Sequence, residues 1–323
     1  MNLLEQNLLP EHIRKELILK VEKGSRLQEI RFRVGQPVIC QIDGSEYLLE
    51  ESKQDRTKGI ICEQQDIDRI LSKASEYSLY ACHDKLRQGF LTLRGGHRIG
   101  ISGQAVCEDG NILTIQYVSG LNIRVAHEMK GCARKVFPWL WMGRHLCSAL
   151  IISPPGGGKT TLLRDLIRML SNGSSGYRGL KVGVVDERSE LAASYHGVAQ
   201  NDMGIRTDIL DGCPKSEGIL CLIRSMSPQV IAVDEIGGKK DREAIERAMF
   251  SGCKMLCSVH GGSYQDVSLQ SGVHSLIKKG KFERYILLSD GSNPGMVRQI
   301  RDREGKILWE VAGECNGSLQ AVY

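Results

Sequence analysis

The stretch "IISPPGGGKTTLLRD", residues 151–165, decides the fold. It closes with Gly158-Lys159-Thr160, the end of a phosphate-binding loop of the form G-x-x-x-x-G-K-S/T. The first position of that spacing falls on Ser153, where glycine is usual. An apolar strand precedes the loop and an amphipathic helix follows it, which is the context the motif requires. There the backbone N–H groups of Gly156, Gly157, Gly158, Lys159 and Thr160 would wrap phosphates at the positive end of the helix. Lys159 would reach the β- and γ-phosphates, and the Thr160 hydroxyl would hold Mg²⁺. Ser153, Pro154 and Pro155 would begin the cradle and Thr161 would end it. Most of the cradle comes from residues nearer the lysine, so serine at the first position weakens the motif little. A glycine-rich turn could carry the same letters by chance, but the strand and helix flanks argue against that. ATP with Mg²⁺ is the expected ligand.

Working outward, the chain takes up a β-loop-α rhythm. Strands are expected at 148–153, 181–187, 229–235 and 254–261, with helices at 159–173, 217–226 and 241–252. Near-continuous apolar strands alternating with helices predict a mainly parallel, doubly wound sheet covered on both faces. The expected class is therefore α/β, a RecA-like P-loop NTPase domain. "RYILLSDG" (284–291) and "GMVRQIRDREGKILWEV" (295–311) read as a closing hairpin, and "SNGSSGYRG" (171–179) as a flexible loop. Ahead of this lies a smaller α+β domain. It has an amphipathic helix over 1–25, with Ile13, Leu17, Ile18 and Val21 near helical spacing. A strand follows in which Ile30, Phe32 and Val34 alternate with Glu29, Arg31 and Arg33. A second helix starts in "QQDIDRILSKASEYSLYACHDKLRQG" (64–89), and short strands run through 90–106, 111–120 and 121–127. "KVFPWLW" (135–141) marks the passage, giving domains 1–135 and 136–323.

Three further strand ends carry chemistry. "VIAVDEI" (230–236) ends in two carboxylates 75 residues after the lysine (234 − 159). In P-loop ATPases the first acid orients Mg²⁺ and the second polarises the attacking water; those roles fall to Asp234 and Glu235. "VVDERSEL" (184–191) would set Asp186, Glu187 and Arg188 at the same carboxyl edge, where doubly wound sheets bind ligands. A helix N-cap at Asp186 or Ser189 would explain that run equally simply. "LCSVHGG" (256–262) ends a strand on His260, either a sensor of the γ-phosphate or a structural histidine.

Composition bounds the rest. The 323 residues suffice for two domains, and the net charge of +5 (43 Lys+Arg minus 38 Asp+Glu) permits an acidic partner without demanding one. Eleven cysteines include no C-x-x-C pair, which argues against zinc. With no signal peptide read, they point to reduced thiols in a cytosol. Cys253 and Cys257 could share a helix face, and burial as small apolar side chains accounts for them. No run reaches the ~18 apolar residues of a membrane span. Aromatics are only 5% of the chain, and no basic-aromatic groove suggests nucleic acid. A nucleic-acid-stimulated ATPase, an ATP-binding scaffold without turnover and a metabolite kinase remain as alternatives.

Together these pieces resemble the secretion and pilus-motor ATPases. The chain more specifically resembles the bacterial stage III sporulation protein AA family, in "EIRFRVGQPV", "GHRIGISGQAV", "IRVAHE", "PPGGGKTTLLRD", "VDERSELAA", the run 206–238 and "ERYILLSDGSNPGMVRQI". Glycine is expected of that family at position 153. The resemblance implies a cytoplasmic ATPase on the mother-cell side of endospore formers, peripheral to the membrane through membrane-embedded stage III A channel proteins. It also implies a hexameric ring, in which arginines complete a neighbour's site. Arg98 and Arg124 match that role by similarity, ahead of Arg206, Arg224 and Arg31. Each would equally be read as a solvated arginine at a strand edge.

Overall fold

The computed structural model describes residues 3–311 except 23, 51–58, 77–88, 109, 175 and 290–294. The chain divides into two compact units on either side of the His127–Glu128 bond.

The first unit is built on an antiparallel sheet. Its strands are β1 (Leu27–Arg33), β2 (Ile39–Ile42), β3 (Ser45–Leu48), β4 (Phe90–Thr92), β5 (Arg98–Glu108) and β6 (Asn111–Arg124), in the order β3-β2-β1-β6-β5-β4. The alternation read in β1 puts Ile30 and Phe32 fully inside. They share a core with Ile13 and Leu17 of helix α1 (Glu11–Lys20) and Ile67 and Ile70 of α2 (Gln64–Ala74). Helix α1 is shorter than the expected 1–25, because Pro10 stands at its N-cap and Val21 is already extended. Residues 111–124 form one long strand rather than two. The latter part of the helix expected over 64–89 lies outside the described residues.

In the second unit the apolar runs become β7 (Ala149–Ser153), β8 (Val182–Asp186), β9 (Thr207–Asp211), β10 (Val230–Val233), β11 (Lys254–His260) and β12 (Arg284–Leu288). These six are parallel, in the order β9-β8-β10-β11-β7-β12. Then β13 (Val297–Arg301) and β14 (Ile307–Glu310) extend the sheet antiparallel. Successive strand residues fall alternately into two cores, as a pleat buried on both faces demands. Ile151, Val184, Ala232 and Leu256 pack with Leu162, Leu163, Leu166 and Ile167 of helix α3 (Lys159–Asn172). Ile152, Val185, Ile231 and Cys257 pack with Ile219 of α4 (Lys215–Ser225) and Ala244 and Ile245 of α5 (Lys239–Phe250). Val267 of α6 (Tyr264–Leu269) and Leu276 of α7 (His274–Lys278) complete that second core.

Three local expectations change. Strand β9 was not legible, because "TDILD" has only two apolar residues, adjacent and flanked by aspartates, at a half-exposed edge. Within 171–179, expected to be a flexible loop, Gly173–Ser174 pair antiparallel with Tyr177–Arg178. Cys253 and Cys257 are both buried, but Cys257 lies on β11 rather than on a helix.

One carboxylate fastens the amino edge of this sheet. Glu283 accepts hydrogen bonds from the Ser148 N–H at 2.7 Å and from Lys254 Nζ at 2.9 Å. Arg303 stands 3.6 Å away. Burial pushes the Glu283 carboxyl up, but the Lys254 and Ser148 hydrogen bonds outweigh it and hold its pKa below the ordinary 4.5. A depressed carboxyl stabilises the fold above its unfolded pKa, and that contribution is lost as pH falls through the folded value. Glu283→Gln should therefore cost about 2 kcal/mol near neutrality. In urea melts across pH the gap from wild type should narrow as pH falls below the ordinary carboxylate value and close once pH is below the folded pKa. A gap independent of pH would contradict this account.

Candidate functional site

The carboxyl ends of β8, β10, β11 and β7 stand side by side, and the candidate residues leave the sheet there. The loop after β7 owes its shape to its glycines. Gly156 (φ 74°) and Gly158 (φ 88°) occupy the left-handed region, which side chains with a Cβ rarely enter. Gly157 fails on space instead, since a Cβ there would lie 2.4 Å from Ser153 Oγ and 3.1 Å from the Ser289 carbonyl. Ser153, the departure from the usual spacing, is fully buried, and its hydroxyl donates to the Pro154 carbonyl at 2.9 Å. The serine thus fills the floor of the loop and leaves its rim to the glycines. Pro154 is half-buried and Pro155 exposed at that rim. Gly158 caps α3, so the first-turn amides of Lys159, Thr160 and Thr161 lack a carbonyl one turn back and face the loop's concavity.

Two side chains join the loop to the acid pair. The Thr160 hydroxyl donates to Asp234 Oδ2 at 2.6 Å. Lys159 Nζ, buried, lies 2.6 Å from Glu235 Oε1. His260 Nε2 reaches the same Oε1 at 2.9 Å, and Arg188 reaches Oε2 at 3.1 Å. Glu235 sits at φ 55°, a left-handed conformation for a residue with a side chain. Strain of that kind persists only where surrounding contacts over-determine it, and three basic groups on one carboxylate do so here. Burial works to raise the Glu235 pKa, but the Lys159 hydrogen bond and charge, with His260 behind them, bring it below the ordinary value. The carboxylate is ionised at neutral pH and acts only as an acceptor.

Two residues missed in the sequence hold this cluster in place. Ser258 of β11, fully buried, donates to Asp234 Oδ1 and accepts from the Glu235 N–H at 2.9 Å. Its signal was one hydroxyl inside the apolar run "MLCSVH". Arg164 of α3 donates to the Leu191 and Glu190 carbonyls at 2.7 and 2.6 Å. From beneath the same segment, the buried Asp186 carboxylate accepts the Glu190 and Ala192 N–H groups, each at 2.8 Å. Burial raises the Asp186 pKa against the pull of those amides. Asp186 is thus a staple for the 187–193 turn rather than a helix N-cap, since no helix follows it. The turn presents Arg188 to Glu235, while Glu187 swings to Lys215.

The candidate arginines are spread more widely. Arg206 donates to the Ser171 carbonyl at 2.9 Å, and Arg224 to that of Leu220 at 3.1 Å. Arg98 and Arg124 belong to the first unit, directly opposite each other on β5 and β6. Arg98 lies over the Phe90 ring, Arg124 is 3.9 Å from Glu29, and Arg31 bonds Glu29 more closely.

A parallel sheet with a glycine loop at one strand end, and an acid pair two strands away, defines a RecA-like P-loop domain; an antiparallel-sheet unit precedes it. Residues 4–308 match the family described as Sporulation stage III, protein AA. The chain is 37% identical over 307 residues to Stage III sporulation protein AA of Bacillus subtilis (strain 168), an alignment covering 95% of this chain and 97% of that protein. The chain belongs to this family. Its fold is similar to that of the pilus retraction motor PilT, solved with bound ADP (TM-score 0.58, 14% identity, 84% of this chain and 76% of that one). It is also similar to the Legionella pneumophila ATPase DotB (TM-score 0.51, 13% identity, 81% of this chain and 71% of that one). At those identities the likeness is one of fold. The expected RecA-like class and the family resemblance both hold.

The loop geometry makes a sharp claim about space. Gly157→Ala should destabilise the protein by about 1–3 kcal/mol through overpacking. Adding Ser153→Gly should recover part of that loss, with the Ser289 carbonyl still in the way. Denaturant melts of the single and double variants test this; an unperturbed Gly157→Ala melt would refute the described packing.

Proposed function

We propose that the chain is a Mg-ATP-binding and hydrolysing motor ATPase. In this reading it works as a hexameric ring and energises a secretion-like channel between mother cell and forespore during endospore formation. The observation that carries the reading is the meeting of Lys159, Thr160, Asp234 and Glu235 at one point of the sheet edge. The ATPase DotB and the pilus retraction motor PilT share the fold, and PilT was solved with ADP. The glycine backbone of the loop, free of Cβ atoms, fits a polyphosphate held by amides.

In this account Gly156 to Thr161 bind the phosphates. Thr160 and Asp234 are hard oxygen donors suited to Mg²⁺, which when bound would neutralise charge on the β- and γ-phosphate oxygens. Lys159 exchanges its Glu235 partner for phosphate oxygens, which frees the carboxylate to orient and polarise water. His260 and Arg188 keep hold of Glu235 and set its direction. Arg98 and Arg124 reach a neighbouring copy's site and stabilise charge on the transferring phosphoryl group. Among the described residues no helix is long and apolar enough to cross a membrane. In this reading the ring works in the mother-cell cytoplasm, held to the membrane by the embedded stage III A proteins.

Lys159→Ala and Glu235→Gln should each lower ATP turnover by at least about a hundredfold. Glu235→Gln should still bind a fluorescent ATP analogue, whereas Lys159→Ala should bind it poorly. Undiminished hydrolysis by both purified variants would overturn the reading. Light scattering should show a hexamer with a non-hydrolysable analogue. Arg124→Ala should restore activity to Glu235→Gln in mixed rings, because each variant lacks what the other supplies.

A further inference from the structure

The opposite, amino edge of the second unit's sheet holds a groove of about 1060 Å³. That volume is at the upper end of the ~300–1,000 Å³ of ligand pockets. One wall is aromatic: Trp141 stacks on Tyr177 with ring centroids 4.3 Å apart, and Phe137 meets both rings edge-on. Leu146, Leu180 and Pro228 add apolar lining. Arg144 and Arg178 also line it, both exposed, and neither has a carboxylate partner among the described residues. The lining contains one carboxylate, Glu283, which is already matched by Lys254 at 2.9 Å. The groove therefore carries two uncompensated positive charges beside the half-buried rings of Trp141 and Tyr177.

We propose that this groove docks an extended, acidic segment of a partner protein that carries an apolar or aromatic side chain. The two arginines would take carboxylates in the bidentate geometry that guanidinium favours, and the wall built on Trp141 and Tyr177 would take the apolar side chain. Such a pairing of a ring-lined pocket with charges at its rim is the usual anatomy of a peptide anchor. A nucleic-acid strand suits the groove less well. Two free arginines neutralise few phosphates, and Glu283 lies in the same lining. The groove and the phosphate loop are at opposite ends of the strands, so docking stands or falls independently of ATP turnover.

The test uses a fluorescein-labelled peptide of four glutamates around one phenylalanine, followed by anisotropy. Wild-type protein and Lys159→Ala should bind it alike. The pair Arg144→Glu with Arg178→Glu should weaken binding by about tenfold or more, with an unchanged circular-dichroism melt. Should that pair melt early, Arg144→Gln with Arg178→Gln replaces it and should show the same direction of loss. A peptide of lysines in place of the glutamates should not bind. No binding of the acidic peptide to wild type, or equal binding by the arginine variants, overturns the proposal. So does an oligothymidylate that binds more tightly than the peptide and is lost with the same two arginines, which would assign the groove to nucleic acid.

Discussion

The hydrogen bond from Thr160 to Asp234 joins residues 74 positions apart, and the site depends on it. The strands that deliver them, β7 and β10, are not neighbours, because β11 lies between them. With strands about 4.8 Å apart, the loop must arch over one whole strand before its hydroxyl reaches the acid. That arch is why two of its residues sit at positive φ and a third has no room for a Cβ. The intervening strand fills the space beneath with Ser258, whose hydroxyl serves Asp234 and the Glu235 amide together. Each buried polar group in this bridge has a partner, as burial requires.

Built on that bridge, Glu235 is strained and crowded by basic groups at once. A glycine would adopt φ 55° without cost, so the carboxylate is retained against a backbone preference. Its contacts arrive from three separate elements: Lys159 from α3, His260 from the end of β11 and Arg188 from the turn after β8. Arg188 could not be there unless the turn were fixed. The turn is fixed twice, by Asp186 from the sheet and by Arg164 from the helix that begins at the loop. Position of loop and position of turn are therefore one constraint rather than two.

This explains what the sequence could and could not disclose. The parallel core was legible because strands buried on both faces must be apolar throughout, as "ALIIS" and "VIAV" are. Asp234, Glu235 and His260 were legible because each ends such a run. Strand β9 was hidden, since an edge strand with one half-exposed face has no such signature. The division of labour between Asp186, Glu187 and Arg188 was hidden for another reason. Three consecutive polar residues at one strand end point in different directions, and only the turn decides which one faces the loop. Here it sends Asp186 inward, Glu187 to Lys215 and Arg188 to Glu235. Arg164 was hidden because an arginine on a helix reads as solvated until the carbonyls it meets are known.

Helix α3 connects the two ends of the sheet. Its 14 residues rise about 21 Å, from the glycine loop at the carboxyl edge to the Gly173–Arg178 ribbon at the amino edge. The junction at its far end is tight. Gly173 holds φ 81°, and a Cβ on it would lie 2.7 Å from both the Gly179 amide nitrogen and the Tyr177 carbonyl oxygen. Tyr177 in turn stacks on Trp141. Leu162, Leu163, Leu166 and Ile167 hold the helix against the sheet along its length. Close-packed interiors shift between discrete arrangements instead of deforming smoothly. The packed face of α3 therefore fixes the glycine loop at one end and, through the Gly173 junction, the place of Tyr177 against Trp141 at the other.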